Sequence, residues 1–369
     1  MTQFKRASVL SLVMAIFAVF LTVQSVMAAG TKSDTTISNR ATISYSVGTV
    51  PQTVIESSEA GNSTPGVGLG TDTDFLVDNI VNLNVVSNGD RDVTPGAVNI
   101  ALPFTITNTG NTTQGYSLQA VPGTTDIPMT PATVRIYIDE GTTPGSYDTG
   151  DTEYTLGTNV RDLNPNGAPG LDSINVIIVA NAPAAATVDS LTDTYSLLAI
   201  TLDEGTATET EETVGGDTAG VDVVFADNEL DPALTAGPED AANDGKHSAS
   251  GVYTITSAVL TIAKTSVVIS DPINDGSDPK AIPGAIVTYS IIVSNAGTVA
   301  ADAVTVVDTI PVNTDYSANS ITIGGTDMSD EADADAADHN ITKTNAVTAV
   351  IGTIPAAGSV TVTFNVEIQ

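Results

Sequence analysis

Carboxylates are the residues this sequence supplies most freely for chemistry. In "YIDEGTTPGSYDTGDTEY", residues 137–154, Asp139, Glu140, Asp148, Asp151 and Glu153 surround a Gly-rich turn. Hard oxygen ligands on a flexible loop suit calcium, so these five are the candidate metal ligands and calcium the candidate ion. A second stretch, "DEADADAADHN" at 330–340, spaces Asp330, Asp333, Asp335 and Asp338. Neither has the EF-hand pattern, because the glycine and the closing glutamate are out of place. A solvated acidic turn is the simpler reading of both.

Other chemistries lack their parts. Without cysteine there is neither a thiolate nor a paired-Cys zinc motif. His247, in "NDGKHSAS", and His339, in "ADHN", are the two imidazoles. Acids and a serine lie beside them, but a triad is assembled by the fold and not by sequence neighbours, so both are expected as solvated loop histidines. "GVGLG" at 66–70 lacks the following helix and Lys-Ser/Thr of a phosphate cradle. Acids are too abundant to single out a glycosidase pair. No catalytic residue and no cofactor beyond calcium is assigned.

The formal charge is −33, from 11 Lys+Arg against 44 Asp+Glu. Such a surface repels nucleic acid and anionic lipid, keeps a strand-rich chain soluble and attracts divalent cations.

Strand signals dominate the elements that must hold these residues. Val, Ile and Thr alternate with polar residues between Gly, Pro, Asn and Asp clusters. In "GSVTVTFNVEIQ", Val360, Val362, Phe364, Val366 and Ile368 share one face, and a period of two buries that face. "VTYSIIVS" places Val287, Tyr289, Ile291 and Val293 likewise. Many short strands at frequent turns predict an all-β sandwich or barrel. Aromatics are only 4% and Trp is absent, so aliphatic residues must fill the core.

The chain also repeats itself. "TPGAVNIALPFTITNTG" (94–110) and "IPGAIVTYSIIVSNAG" (282–297) both open on Pro-Gly-Ala and close on Asn-x-Gly. Further on, "SINVIIVANAPAAATVDSLTDTYSLLAITL" (173–202) is matched to "AVTAVIGTIPAAGSVTVTFNVEI" (346–368) through a shared Pro-Ala-Ala. Residues 1–28 have the layout of a secretory signal peptide: Lys5 and Arg6, an apolar run from Ala7 to Val23, then Val26-Met27-Ala28. The expected organisation is the signal peptide at 1–28, a β-sandwich module with extra leading strands at 29–202, an acidic connecting segment at 203–250 and a second sandwich at 251–369. No later stretch could span a bilayer. Whether 29–92 complete the first sandwich stays open.

"LTIAKTS" (260–266), "PGAIVTYSIIVSNAGTVAADAVTVVDTIP" (283–311) and "GTIPAAGSVTVTFNVEI" (352–368) together resemble a bacterial conserved repeat of unknown function. The matching positions are Lys264, Pro283, Gly284, Tyr289, Asn295, Gly297, Val304, Asp308, Pro311, Gly352, Gly358 and Phe364. The resemblance implies an immunoglobulin-like sandwich in a secreted or cell-surface protein: a stalk, surface-layer or filament component without catalytic residues. The leading expectation is a non-catalytic exported structural or adhesive protein whose partners are copies of itself or other surface components. The alternative is an extracellular module binding calcium or a glycan, with a secreted hydrolase third.

Overall fold

A computed structural model describes residues 30–125, 129, 133–165, 170–184, 189–227 and 241–369. The expected signal peptide at 1–28 lies outside the described residues, as do residues 228–240 of the acidic segment. Among the described residues every regular element of any length is a strand, and no helix is long and apolar enough to cross a membrane.

The chain begins with an arm. Strands β1 (Thr36–Asn39), β2 (Thr42–Ile43) and β3 (Ser46–Val47) pair antiparallel with β6 (Thr73–Leu76), β5 (Ile55–Glu56) and β4 (Val50–Pro51), respectively. The nested pairs form one long hairpin. Its wide loop is gathered onto Glu56, whose buried carboxylate accepts Gly70 N–H, Gly68 N–H and Arg40. The Gly70 bond is the main cause holding this carboxylate below its usual range. Ile43, Tyr45, Val47, Val50 and Phe75 remain exposed along the arm.

The first sandwich is built from β7 (Asn79–Val81), β8 (Leu83–Ser87), β9 (Arg91–Val93), β10 (Ile100–Asn108), β11 (Gly115–Thr125), β12 (Arg135–Ile138), β13 (Thr152–Glu153), β14 (Ser173–Ala180), β15 (Thr192–Leu202), β16 (Val223–Phe225) and β17 (Lys246–Ile255). One sheet has the order β13-β12-β14-β10-β8, the other β11-β15-β17-β9, and β16 adds to β7 in parallel. Leu83, Leu102, Phe104, Ile106, Tyr116, Leu118, Leu197 and Tyr253 fill the space between the sheets. Residues 79–93 therefore complete this sandwich, whereas 36–76 form the arm. The expected boundaries at 202 and 250 need correction. β17 pairs with β15 from Thr192↔Thr254 to Ile200↔Lys246 and runs parallel to β9, so residues 246–255 close the first sandwich. The acidic composition before Lys246 and the Ser/Gly content of β17 hide a strand whose partner lies some 50 residues earlier; pairing of that range leaves no local signal.

The second sandwich comprises β18 (Leu260–Ser270), β19 (Ile286–Asn295), β20 (Ala301–Thr309), β21 (Thr314–Tyr316), β22 (Thr322–Ile323), β23 (Thr326–Asp327), β24 (Ala337–His339), β25 (Ala346–Ile354) and β26 (Ser359–Ile368). β18-β19-β26-β22-β23, with β21 also on β26, faces β20-β25-β24. Val287, Ile291, Val293, Val347, Ala349, Val362, Phe364 and Val366 form its core, as the alternation predicts. The Tyr289 and Phe364 rings meet at 5.4 Å.

The repeated Asn-x-Gly turns have one geometry. Asn295 Nδ2 donates to Val299 O and Ile354 O, while its Oδ1 accepts Gly297 N–H and Val259 N–H. Asn108 Nδ2 donates to Thr112 O and Leu163 O, while its Oδ1 accepts Gly110 N–H. Both asparagines are buried. The glycines pass against backbone: a Cβ would lie 2.1 Å from Ser257 O at Gly297 and 2.2 Å from Ile80 O at Gly110. Pro-Gly-Ala is equally shared, with Gly96 and Gly284 at positive φ. The Pro-Ala-Ala match does not survive. Asn108 N–H donates to Asp172 O just before β14, and Asn295 N–H to Gly358 O just before β26. β14 is thus the counterpart of β26, and β15 and β17 are additions to the first sandwich. Between the sandwiches Asp189 accepts Ser257 N–H at 2.5 Å and Thr298 Oγ1 at 2.6 Å.

Asn295→Ala leaves Val259 N–H, Gly297 N–H and two carbonyls without that partner, and should destabilise the second sandwich by about 3 kcal/mol. Urea unfolding followed through the tyrosines near Phe364 checks this; a loss under about 1 kcal/mol would mean that water replaces the side chain.

Residues 203–221 are nearly all exposed and contain Glu204, Glu209, Glu211 and Glu212. A glutamate-specific protease should cut there first. Because β17 remains paired to β15 and β9, the nicked fragments should co-elute on gel filtration without denaturant. Separation of the fragments would contradict that pairing.

Candidate functional site

The five candidate metal ligands lie on the β12–β13 hairpin, and its loop is organised by their oxygens. Asp148 accepts Thr142 N–H (2.7 Å), Thr143 N–H (3.1 Å) and Gly150 N–H (2.8 Å), and Thr142 Oγ1 donates to it at 3.1 Å. Gly150 N–H leads in holding the Asp148 carboxyl below its usual range. Asp151 accepts Gly141 N–H at 2.9 Å, Glu140 N–H at 3.2 Å and Asp148 N–H at 2.8 Å. Asp139 accepts Gly145 N–H at 2.8 Å. Glu140 pairs with Arg161, and Glu153 with Arg135 at 3.7 Å. Gly141 leaves room for the Asp148 carboxylate, since a Cβ there would lie 2.1 Å from Asp148 Oδ1 and displace it. The loop brings Asp139, Asp148 and Asp151 together as acceptors of its own backbone and turns Glu140 and Glu153 to neighbouring arginines.

The 330–340 stretch behaves alike. Asp335 accepts Ser329 N–H and Ala337 N–H, and Asp338 accepts Ile341 N–H and Thr342 N–H. Among the described residues, the one group of three acids with ligand oxygens all within 4.8 Å of one another is Asp78, Asp217 and Asp222. These could offer hard oxygen ligands, although Asp222 already accepts Thr218 N–H and Thr218 Oγ1, and Asp78 accepts Asp222 N–H. Asp217 and Asp222 are far from Asp78 in sequence, so no local spacing announces the group.

Neither histidine is a solvated loop residue. His247 is buried on β17, its Nδ1 accepting Val85 N–H at 3.1 Å. Its Nε2 is buried without a hydrogen-bond partner. His339 lies on β24, stacked on Tyr316 with ring centres 3.9 Å apart. Burial pushes its pKa below the ordinary histidine value, against the raising effect of Asp330 and Asp338. Both were misread because they sit among turn-forming residues, while their strands pair with distant partners.

A cleft of about 310 Å³ lies beside β11 and β12, lined by Ala120, Pro122, Arg135, Glu153, Tyr154 and Tyr195 among others. Three of its polar side chains have partners: Arg135 faces Glu153, and Tyr154 Oη accepts Leu118 N–H and donates to Thr158 O.

Four residues of the resembling repeat converge at the open side of the second sandwich. Lys264, on β18, forms an ion pair with Asp308, on β20 of the facing sheet. Its Nζ stands 4.1 Å from the centre of the Tyr289 ring and 5.8 Å from that of Phe364. The motif match named these positions singly but did not bring them together.

No family model matches the chain, and no curated protein matches it in sequence. Among solved structures, the C-terminal domain of the Streptococcus pyogenes antigen I/II-family protein AspA aligns at 10% identity and a TM-score of 0.35, covering 78% of this chain and 91% of that one. The C-terminal domain of the Streptococcus agalactiae AgI/II polypeptide BspA aligns at 9% identity and a TM-score of 0.32, with the same coverages. A putative membrane-anchored protein from Corynebacterium diphtheriae aligns at 12% identity and a TM-score of 0.19, covering 91% of this chain and 89% of that one. Likenesses this distant carry no argument about what this chain does.

Asp148→Asn combined with Asp151→Asn should loosen the 139–151 loop with no calcium present, because the carboxylates serve the loop's own N–H groups. Hydrogen exchange of Gly141, Thr142 and Gly150 in chelator checks this. Exchange that differs between variant and wild type only when calcium is added would show a loop organised by the ion.

Proposed function

We propose that this chain is an exported, non-catalytic structural or adhesive protein of the cell surface, built from tandem immunoglobulin-like sandwiches and assembling through uncovered strands. The carrying observation is β18. It is an eleven-residue strand at the edge of its sheet, paired only with β19, and exposed along almost all of its length. Leu260, Ile262, Val267 and Ile269 stand in solvent. Soluble proteins blunt such edges with charge, proline, bulges or covering loops. The one charged side chain on β18 is Lys264, which is turned onto the Tyr289 ring. Up to the register shift between Val268 and Ser270 the edge is regular and open, and such an edge accepts a further strand through its backbone, with alternate side chains adding specificity. The arm offers a second apolar surface through Ile43, Tyr45, Val47 and Val50. The −33 charge keeps such a molecule dispersed until specific pairing overcomes self-repulsion. Export rests on the signal-peptide layout of residues 1–28.

Calcium at Asp139, Glu140, Asp148, Asp151 and Glu153 is the second reading, supported by the crowding of these acids on one hairpin. An ion there would substitute for hydrogen bonds the loop makes to itself.

Sedimentation of the mature protein should show large particles at moderate salt. Ile262→Lys with Val267→Lys should return it to a monomer, because both side chains are exposed and the changes charge the edge without touching the core. A wild-type chain that stays monomeric up to its solubility limit, with and without calcium, would contradict assembly through β18.

A further inference from the structure

The alternation of β18 puts Lys264 on the same face as Val268, which packs on the second core, while Ile262 at the far end of that face stays exposed. On β20 the inward row is Val304, Val306 and Asp308, and both valines belong to that core or pack against it. A cation and an anion thus occupy core-facing positions on edge strands of opposite sheets. They meet over the Tyr289 and Phe364 rings. The Asp308 side chain is 16% exposed, and its Oδ2 is buried and accepts no hydrogen bond; the group it faces is Lys264 Nζ. An ordinary surface ion pair stabilises by little and has no need of an aromatic floor. This pair is the one link among the described residues that ties the free edge strand β18 to the facing sheet by an ion pair.

We propose that Lys264 and Asp308 are joined by an intramolecular amide bond formed without an added cofactor. Amide formation needs the neutral amine and acid, so in the reacting step a proton passes from the Lys264 ammonium to the Asp308 carboxylate it touches. The Nζ lone pair attacks Asp308 Cγ. The new C–N bond forms, the C–OH bond breaks, and oxygen leaves as water with the carboxyl proton and one amine proton. Nothing is oxidised or reduced, and no co-reactant is consumed. Holding the groups in contact gives the high effective molarity that turns an unfavourable condensation in water into an intramolecular one. The rings of Tyr289 and Phe364 cover one side of the pair. The product staples β18 to β20 and covalently closes the stretch between them. The bond requires only the second sandwich, so it stands whether or not the chain assembles.

Peptide mapping of the denatured full-length chain tests this. Trypsin cuts after Lys246, Lys264, Lys280 and Lys343. An acylated Lys264 resists cleavage, so residues 247–280 should appear joined to 281–343, at the sum of the two masses less one water, about 18 Da. Fragment ions should locate the link at Lys264 and Asp308. Lys264→Arg keeps the charge but cannot form this amide, so it should release the unlinked 281–343 peptide and lower the melting temperature. Asp308→Ala should restore cleavage after Lys264. Recovery from the wild-type chain of free 247–264 and unmodified 281–343 as the main products would overturn the proposal, and that outcome is readable even if a variant does not fold.

Discussion

Both sandwiches depend on the corner where a strand of one sheet crosses to the other. At this point the backbone leaves its ladder, and its N–H and C=O groups need partners away from water. A buried asparagine supplies them. Asn295 satisfies two donors with Oδ1 and two acceptors with Nδ2, and so holds the entry into β18, the β19–β20 crossing and the end of β25 at one place. Asn108 does the same work for the first sandwich, with Asn111 accepting Ile80 N–H beside it. An unpaired buried polar group costs more than a made hydrogen bond returns, so the corner works as a whole or not at all. The two chain segments approach so closely that only glycine fits at 110 and 297. The repeated sequence is therefore the repeated solution of one problem in backbone satisfaction.

Around these corners the two sandwiches diverge in how they finish their edges. The first acquires β15, β17 and the parallel β9, and its carboxylates settle exposed turns by accepting backbone N–H groups. The second is leaner and leaves β18 open, with Lys264 and Asp308 at the mouth between its sheets. The same residue types thus serve different ends. Asp148 and Asp271 are anchors of loops, Asp271 accepting N–H groups from Ile273, Asn274 and Lys280. Asp189 joins the two units, and Asp308 faces an amine across a hydrophobic floor. A charge of −33 looks like an undifferentiated acidic surface until these hydrogen bonds are assigned.

Much was legible in the sequence because it depends on neighbours one or two residues apart. Period-two alternation was enough to identify β19 and β26, to turn Val362, Phe364 and Val366 inward, and to make the chain all-β. Pro-Gly-Ala and Asn-x-Gly marked the turns that flank β10 and β19, since positive φ and backbone crowding restrict which residues can stand there. The Gly-rich acidic hairpin at 137–154 was likewise visible as a turn.

The tertiary structure alone decided what depends on pairing between distant segments. Alternation specifies that a strand has an inner face, but not which strand lies beside it. Hence β17 could be split between a linker and the wrong sandwich, the Pro-Ala-Ala match could align β15 with β26, and two strand histidines could pass for loop residues. Asp78, Asp217 and Asp222 gather only when β16 adds to β7 and draws its preceding loop alongside. Lys264 and Asp308 were both visible as motif residues, yet their contact exists only because two edge strands of facing sheets close over Tyr289 and Phe364. The sequence determined the strands, their faces and their turns, because these follow from local sterics and burial. Which strands became neighbours, and which charges therefore met, was set by the packing of the whole core.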